Sequence, residues 1–140
     1  KSENKNQVHF AVAVDAQCAP LGDAPVRPYW RMLEKGPTVT EPLLAREQGP
    51  YGLASQEVLS RTAEGGAVRV TLKAVPGRPV TIATLRDSDG TCSYETRMTI
   101  ASKPGRLQYV FAKLAFVSID YLLLVGKDDD GRELKERIDR

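Results

Sequence analysis

The sequence predicts an all-β domain: an antiparallel, up-and-down, barrel-like fold of about nine strands with one short helix, an open β-sandwich being the alternative. Three observations predict it. Segment after segment alternates apolar and polar residues with a period of two, most cleanly at Val68, Val70, Leu72 and Ala74 against Arg69, Thr71 and Lys73. Turn signals recur every ~8–12 residues, the spacing of sandwiches and barrels. The chain also ends in a hairpin pattern. An unbroken apolar run at 121–125 meets Asp128-Asp129-Asp130-Gly131, after which Leu134, Glu136 and Ile138 alternate with Glu133, Lys135 and Arg137. A barrel is preferred because closure removes the edges that a long meander otherwise leaves exposed.

In chain order, residues 1–7 are polar and asparagine-rich and read as a flexible lead-in to a single domain that spans 1–140. Val8, Phe10, Val12 and Val14 alternate with His9, Ala11 and Ala13, giving the first strand over 8–14. Residues 18–25, with two prolines and a glycine, form a loop. The second strand covers 26–34, with Val26, Trp30 and Met32 on one face and Arg27, Tyr29, Arg31 and Leu33 on the other. Pro28 cannot donate to a ladder and so marks an edge or a bulge. Residues 40–48 give the one helix, with Thr40 as N-cap, Pro42 early and Gly49-Pro50 ending it. Further strands follow at 56–62, 68–74, 79–85, 92–101, 107–116, 121–125 and 133–138. Gly65-Gly66, Pro76-Gly77, Asp87-Ser88-Asp89-Gly90 and Lys103-Pro104-Gly105 turn the chain between them.

Composition bounds the function. The net charge is +2 and the charges are interspersed, so nucleic acid is not an expected partner. No run approaches the ~18 apolar residues of a membrane helix. The chain begins at Lys1 without a Met or an apolar leader, which fits either a removed leader or a trimmed chain. Cys18 and Cys92 are the only cysteines and His9 the only histidine, too few ligands for structural zinc. The cysteines are either a disulfide or two unrelated thiols. Neither Asp-rich turn has an acidic residue where a calcium loop begins, so both are hairpin turns and no metal site is expected.

No catalytic motif is present and no cofactor is expected. His9 faces away from Val8, Phe10 and Val12, with no nucleophile motif to serve. Arg27, Tyr29 and Arg31 share a face that either forms a carboxylate or phosphate site or is a solvated exterior. Trp30 and Met32, opposite them, are core unless the interior is hollow, in which case they line a ligand cavity with residues 40–53 as its lid. Trp30, Met32, Tyr29, Arg31 and Tyr51 are therefore the candidate ligand-binding residues. Trp30 is expected to be buried, with an acceptor for its indole N–H from residues 40–53.

Several pieces together resemble a bacterial domain family, domain of unknown function 4833. They are Ser2-Glu3-Asn4-Lys5-Asn6-Gln7-Val8-His9-Phe10, Ala24-Pro25-Val26-Arg27-Pro28-Tyr29-Trp30-Arg31-Met32, Glu41-Pro42-Leu43 through Tyr51-Gly52-Leu53, and the closing hairpin from Tyr121 to Ile138. The Pro-Val-x-x-Tyr-Trp piece is the most specific. The resemblance implies a small β-rich domain, often in exported proteins, and it carries over no catalytic residue. The leading expectation is a non-catalytic module, periplasmic or extracellular, that binds a protein partner or a small apolar ligand. Two alternatives remain: an enzyme using carboxylate, Tyr and Arg groups, with Glu47, Tyr51 and Arg31 converging, and a structural or assembly domain.

Overall fold

In the computed structural model, which describes residues 6–114 and 119–139, the alternating segments become ten strands. They are β1 (Gln7–Val12), β2 (Val26–Arg31), β3 (Thr40–Pro42), β4 (Leu53–Thr62), β5 (Gly65–Leu72), β6 (Pro79–Arg86), β7 (Cys92–Ile100), β8 (Lys103–Leu114), β9 (Ile119–Lys127) and β10 (Glu133–Asp139). A 3-10 turn (Ala45–Glu47) and a single helical turn, α1 (Gln48–Tyr51), lie between β3 and β4. Every pairing is antiparallel, and β4 to β10 form a continuous meander in which each strand pairs with the next.

The first three strands join this meander at β8. On one edge β8 pairs with β9 along most of its length; on the other it pairs first with β7, at Lys103–Arg106, and then with β1, at Val110 and Phe111. The exchange of partners coincides with a register shift between Leu107 and Tyr109. An extra residue there bends and twists the strand, so β7 and β1 diverge and leave a fork. The fork is tied from outside the ladder. Cys18, in the connection after β1, and Cys92, the first residue of β7, form a disulfide with α-carbons 5.5 Å apart, inside the range such a bond requires. The bond spans 74 residues and contributes about 4 kcal/mol in the chain-entropy account.

The ladder does not close into a barrel; the sheet is open, as in the alternative. The path runs from β3 through β2, β1, β8, β7, β6 and β5 to β4 and ends there, with β9 and β10 branching from β8. The physical reasons lie in the two edges that would have to meet. β4 has register shifts at Leu53/Ser55 and Val58/Ser60, which turn an edge away from a partner. On β2, the edge facing away from β1 is paired with β3 only at Tyr29–Arg31. Pro28, the next residue, has no N–H to offer there.

The sheet nevertheless curls around one core. Val8, Val26 and Trp30 from one end pack in a single cluster with Val68, Val70, Val80 and Ile82 from the other. Where backbone cannot pair, a side chain does. The Gln56 amide of β4 accepts from Val26 N–H (2.8 Å) and donates to Val26 C=O (3.1 Å), reproducing one rung of a ladder. Arg61, also on β4, donates to the carbonyls of Pro20 (2.9 Å) and Gly22 and pins the β1–β2 connection to the same seam. On the far side, Arg78 and Glu136 form a half-buried ion pair, and Glu136 also accepts from Ala101 N–H (2.7 Å).

Five local expectations are corrected. Residues 40–48 are not a helix: Thr40–Pro42 pairs with β2, and the helical turns come later. Pro42 sits on an edge strand, where no donor is needed. Gly49 and Pro50 lie inside α1 instead of ending it, because a first-turn proline lacks only an N–H that a helix leaves unused. The turn expected at 103–105 falls at Ala101 and Ser102, both left-handed (φ 52° and 65°), the backbone a two-residue hairpin demands. The turn expected at Gly65-Gly66 falls at Ala63 and Glu64, with Gly65 (φ 136°) already in β5. A Cβ on Gly65 would meet the Thr84 carbonyl oxygen at 2.0 Å. The lead-in ends before Asn6, which is buried and donates to the Glu34 carboxylate (3.0 Å). Residues 1–5 of that lead-in, and the expected strand end at Phe116, lie outside the described residues.

Candidate functional site

The five candidate residues fall on two faces, with Tyr29, Trp30 and Arg31 on β2, Met32 just after it and Tyr51 on α1. Trp30 and Tyr51 are 7% and 6% exposed, and Met32 packs against the same core. The rings of Trp30 and Tyr51 meet edge to face with centroids 5.0 Å apart, a favoured aromatic geometry. Around these rings the described core residues pack closely. Beside Tyr51 there is a void of about 10 Å³, lined by Val8, Phe10, Leu72, Val110 and Leu124 among others, which is room for a single water at most. The expected acceptor for the Trp30 indole is not found. Its Nε1–H is buried without a hydrogen-bond partner among the described residues, and the contact that residues 40–53 make with the Trp30 ring is through the Tyr51 ring.

Tyr29 and Arg31 point the other way, as the strand alternation requires. On this outer face β1 contributes Gln7, His9 and Ala11, and β2 contributes Arg27, Tyr29 and Arg31 in register with them. His9 stacks on Tyr29 (centroids 5.8 Å, planes 26° apart) and lies 6.1 Å from the ring of Tyr109 on β8. Its Nε2 is 2.9 Å from the Gln7 amide oxygen. That oxygen only accepts, so Nε2 carries the ring proton. Burial among these rings, and then the Arg31 charge, hold the His9 pKa below its ordinary value.

Beside Tyr29 the face opens into a groove of about 490 Å³, lined by Ala11, Arg27, Tyr29, Thr40, Glu41 and Pro42. Its far wall is β3, whose Pro42 stands opposite Tyr29 and whose Thr40 stands opposite Arg31. Glu41 is committed to Lys35, whose ammonium lies 2.8 Å away. Arg27 is exposed and has no carboxylate partner among the described residues. The groove therefore holds one unbalanced positive charge beside an aromatic ring.

A second groove, of about 320 Å³, lies where β7 parts from β8 at the fork and is lined by Tyr94, Glu95, Arg106, Leu107 and Lys127 among others. Its charges are largely spent on each other. Glu95 lies 3.5 Å from Arg97 and 3.9 Å from Arg106, and Arg97 reaches Asp129 at 2.8 Å. The Asp-rich turns use their carboxylates in the same inward way. Asp128 accepts from Asp130 N–H and Arg132 N–H, and Asp89 accepts from Thr91. Among the described residues no three His, Cys, Asp or Glu side chains are grouped as a metal would need, and no helix is long and apolar enough to cross a membrane.

Sequence reasoning placed Tyr29, Arg27 and Arg31 together on one face, and they are together. It missed the β3 wall, because residues 40–48 were read as helix. The signal for it was the β-branched pair Val39-Thr40 just before a proline. It also did not pair His9 with Tyr109, since that contact depends on β1 meeting the second half of β8. Arg31 and Tyr51 lie on opposite sides of the sheet and do not converge with Glu47, whose carboxylate accepts from Leu44 N–H (2.7 Å).

Neither a curated protein nor a solved structure matches this chain. A family model described as a domain of unknown function (DUF4833) matches residues 1–137. Nearly the whole fold lies within that match, outer groove included, and the chain belongs to this family of domains of unknown function.

Proposed function

We propose that this domain is a non-catalytic binding module that takes its target on the outer face of β1, β2 and β3 and not in its interior. The observation that carries this reading is the contrast between the two faces of β2. Inside, Trp30 is buried against Tyr51, and the void beside Tyr51 holds only about 10 Å³; outside, Tyr29 and Arg27 line a groove of about 490 Å³. Tyr and Arg are the side chains on which binding energy concentrates. A non-catalytic role is supported by the placement of His9, whose Nε2–H goes to a glutamine amide and whose other neighbours are tyrosine rings and an arginine. A general base needs a proton to take and a carboxylate or carbonyl to orient it. The Cys18–Cys92 disulfide supports placing the domain in an oxidising compartment, the periplasm or outside the cell.

An amide-resolved NMR screen against a small-molecule fragment set tests the reading. Hits should shift His9, Arg27, Tyr29 and Thr40 while leaving Val70 and Leu124 in place. Hits that gather on Leu72, Leu122 and Leu124 would overturn it.

A further inference from the structure

We infer that the free edge of β10 takes an added strand from a partner protein, with acidic residues facing Lys135 and Arg137 and basic residues facing Glu133 and Asp139. The inference concerns a different margin of the sheet from the outer groove and stands independently of it.

Among the described residues the sheet has three terminal strands, and they are finished differently. β3 is three residues long and carries Pro42. β4 is broken by two register shifts, and its Gln56 and Arg61 side chains are bonded to Val26 and to the connection before β2. Short length, proline and bulges all blunt an edge. β10 has none of the three. Its seven residues pair with β9 in unbroken register, from Glu133 opposite Lys127 to Asp139 opposite Tyr121. β9 is its only strand partner, and among the described residues no backbone–backbone bond reaches its other edge. A row of N–H and C=O groups is left there, the template that strand addition uses.

The side chains along this edge give the partner's pattern. Glu133, Lys135, Arg137 and Asp139 are exposed on one face of β10, so the strand reads acid, base, base, acid. A copy of the same strand is a poor match. Paired antiparallel over its full length, it sets Glu133 against Asp139 and Lys135 against Arg137, like charges at every outward position. A slip of two residues in either direction still sets Lys135 or Arg137 against its own counterpart. These edge charges therefore act against self-pairing. A strand reading base, acid, acid, base meets an opposite charge at all four positions, and it does so in either direction because the pattern is symmetric. At present the four groups are paired along the strand, Lys135 with Glu133 at 3.4 Å and Arg137 with Asp139 at 2.7 Å. Exposed pairs of this kind hold weakly and yield to a charge placed opposite.

The inner side fixes the strand. Leu134 is buried, and Glu136 is held by Arg78 and by Ala101 N–H (2.7 Å). These contacts anchor β10 through side chains, so its position is set before a partner arrives, which lowers the cost of pairing.

Amide NMR and calorimetric titrations of the intact domain with two capped peptides test the assignment. Lys-Val-Glu-Thr-Glu-Val-Lys carries the complementary pattern, and Glu-Val-Lys-Thr-Lys-Val-Glu has the same composition with the pattern inverted. The first should shift the amides of Glu133–Asp139 and bind at least about tenfold more tightly than the second. N-methylation of alternate amides removes the donors along one edge of the peptide. Of the two alternate sets, one should abolish binding and the other should leave it unchanged. Lys135→Gln, at an exposed position, should keep the melting temperature and narrow the preference. The quadruple variant Glu133→Lys, Lys135→Glu, Arg137→Glu and Asp139→Lys should reverse it. Equal binding of the two peptides, binding untouched by either methylated set, or no shift on β10 at millimolar peptide would each overturn the proposal. Sedimentation showing a dimer formed through β10 would replace the partner strand by a second copy. Shifts gathered on Arg27 and Tyr29 would move the peptide to the outer groove, overturning the β10 edge while leaving the outer-face reading intact.

Discussion

His9 occupies a place that suits its neutral form. Stacked against Tyr29, close to Tyr109 and facing the Arg31 charge, it is held below its ordinary pKa of 6.5. The unfolded chain binds a proton near 6.5 and the folded chain resists it. Stability is therefore full above 6.5 and declines as pH falls toward the folded value. Glu136 behaves differently. The Arg78 hydrogen bond, aided by Ala101 N–H, lowers its pKa. Its contribution is present above the usual carboxylate range and is lost only as the folded pKa is crossed, below that range. Asp89 and Asp129 are lowered as well, so the slope between pH 7.5 and 5 belongs to His9. Melting temperature should fall by a few degrees over that interval in the parent and stay level in His9→Gln. A parent that gains stability on acidification to pH 5 would contradict the burial and charge assigned to His9.

At the scale of elements, β2 is bonded to β4 through the Gln56 side chain, with Arg61 holding the preceding connection to the same seam. Gln56→Ala leaves the N–H and C=O of Val26 without their partner, at a cost of about 1–3 kcal/mol. Gln56→Glu keeps the acceptor for Val26 N–H but sets a carboxylate oxygen against Val26 C=O, so it should rescue only part of the loss. Urea denaturation checks both; an alanine variant within about 0.5 kcal/mol of the parent would mean that the seam is held elsewhere. None of this could be read along the chain. Alternation, and for the buried strands short apolar runs between turns, revealed the strands from β4 onward and the two faces of β2, because both signals need only local residues. Three residues are too few to show a period, so β3 hid behind Thr40 and Pro42, which are also helix-start residues. The exchange of partners along β8 hid behind Gln108, whose register shift is visible only against β9. Closure depends on which edges meet, and neither the register shifts of β4 nor the half-paired edge of β2 has a sequence signature of its own. The groove was half legible for the same reason: Arg27 and Tyr29 lie on one strand, but Ala11, Thr40 and Pro42 arrive from two others.

For the molecule as a whole, the account divides labour between two sides of one curled sheet. The inner side is spent on stability, with Val8, Val68, Val70, Val80, Ile82, Ile100, Leu122 and Leu124 almost wholly buried in a common core. The disulfide and the Gln56 rung hold together what the ladder leaves apart. The outer side keeps its aromatic rings, with Arg27 and Arg31 beside them, at the surface, where a target can reach them. Trp30, the single tryptophan, reports on this division most directly, since it sits inside while its neighbours Tyr29 and Arg31 sit outside. Its emission, recorded with acrylamide and then with a titration of laurate as an apolar ligand, is the decisive measurement. The account predicts blue-shifted emission, weak quenching and no response to laurate, because Trp30 is buried against Tyr51 and the void beside Tyr51 holds only about 10 Å³. Red-shifted, freely quenched emission, or a saturable change on adding laurate, would show an accessible interior and contradict the claim that the target is taken on the outer face.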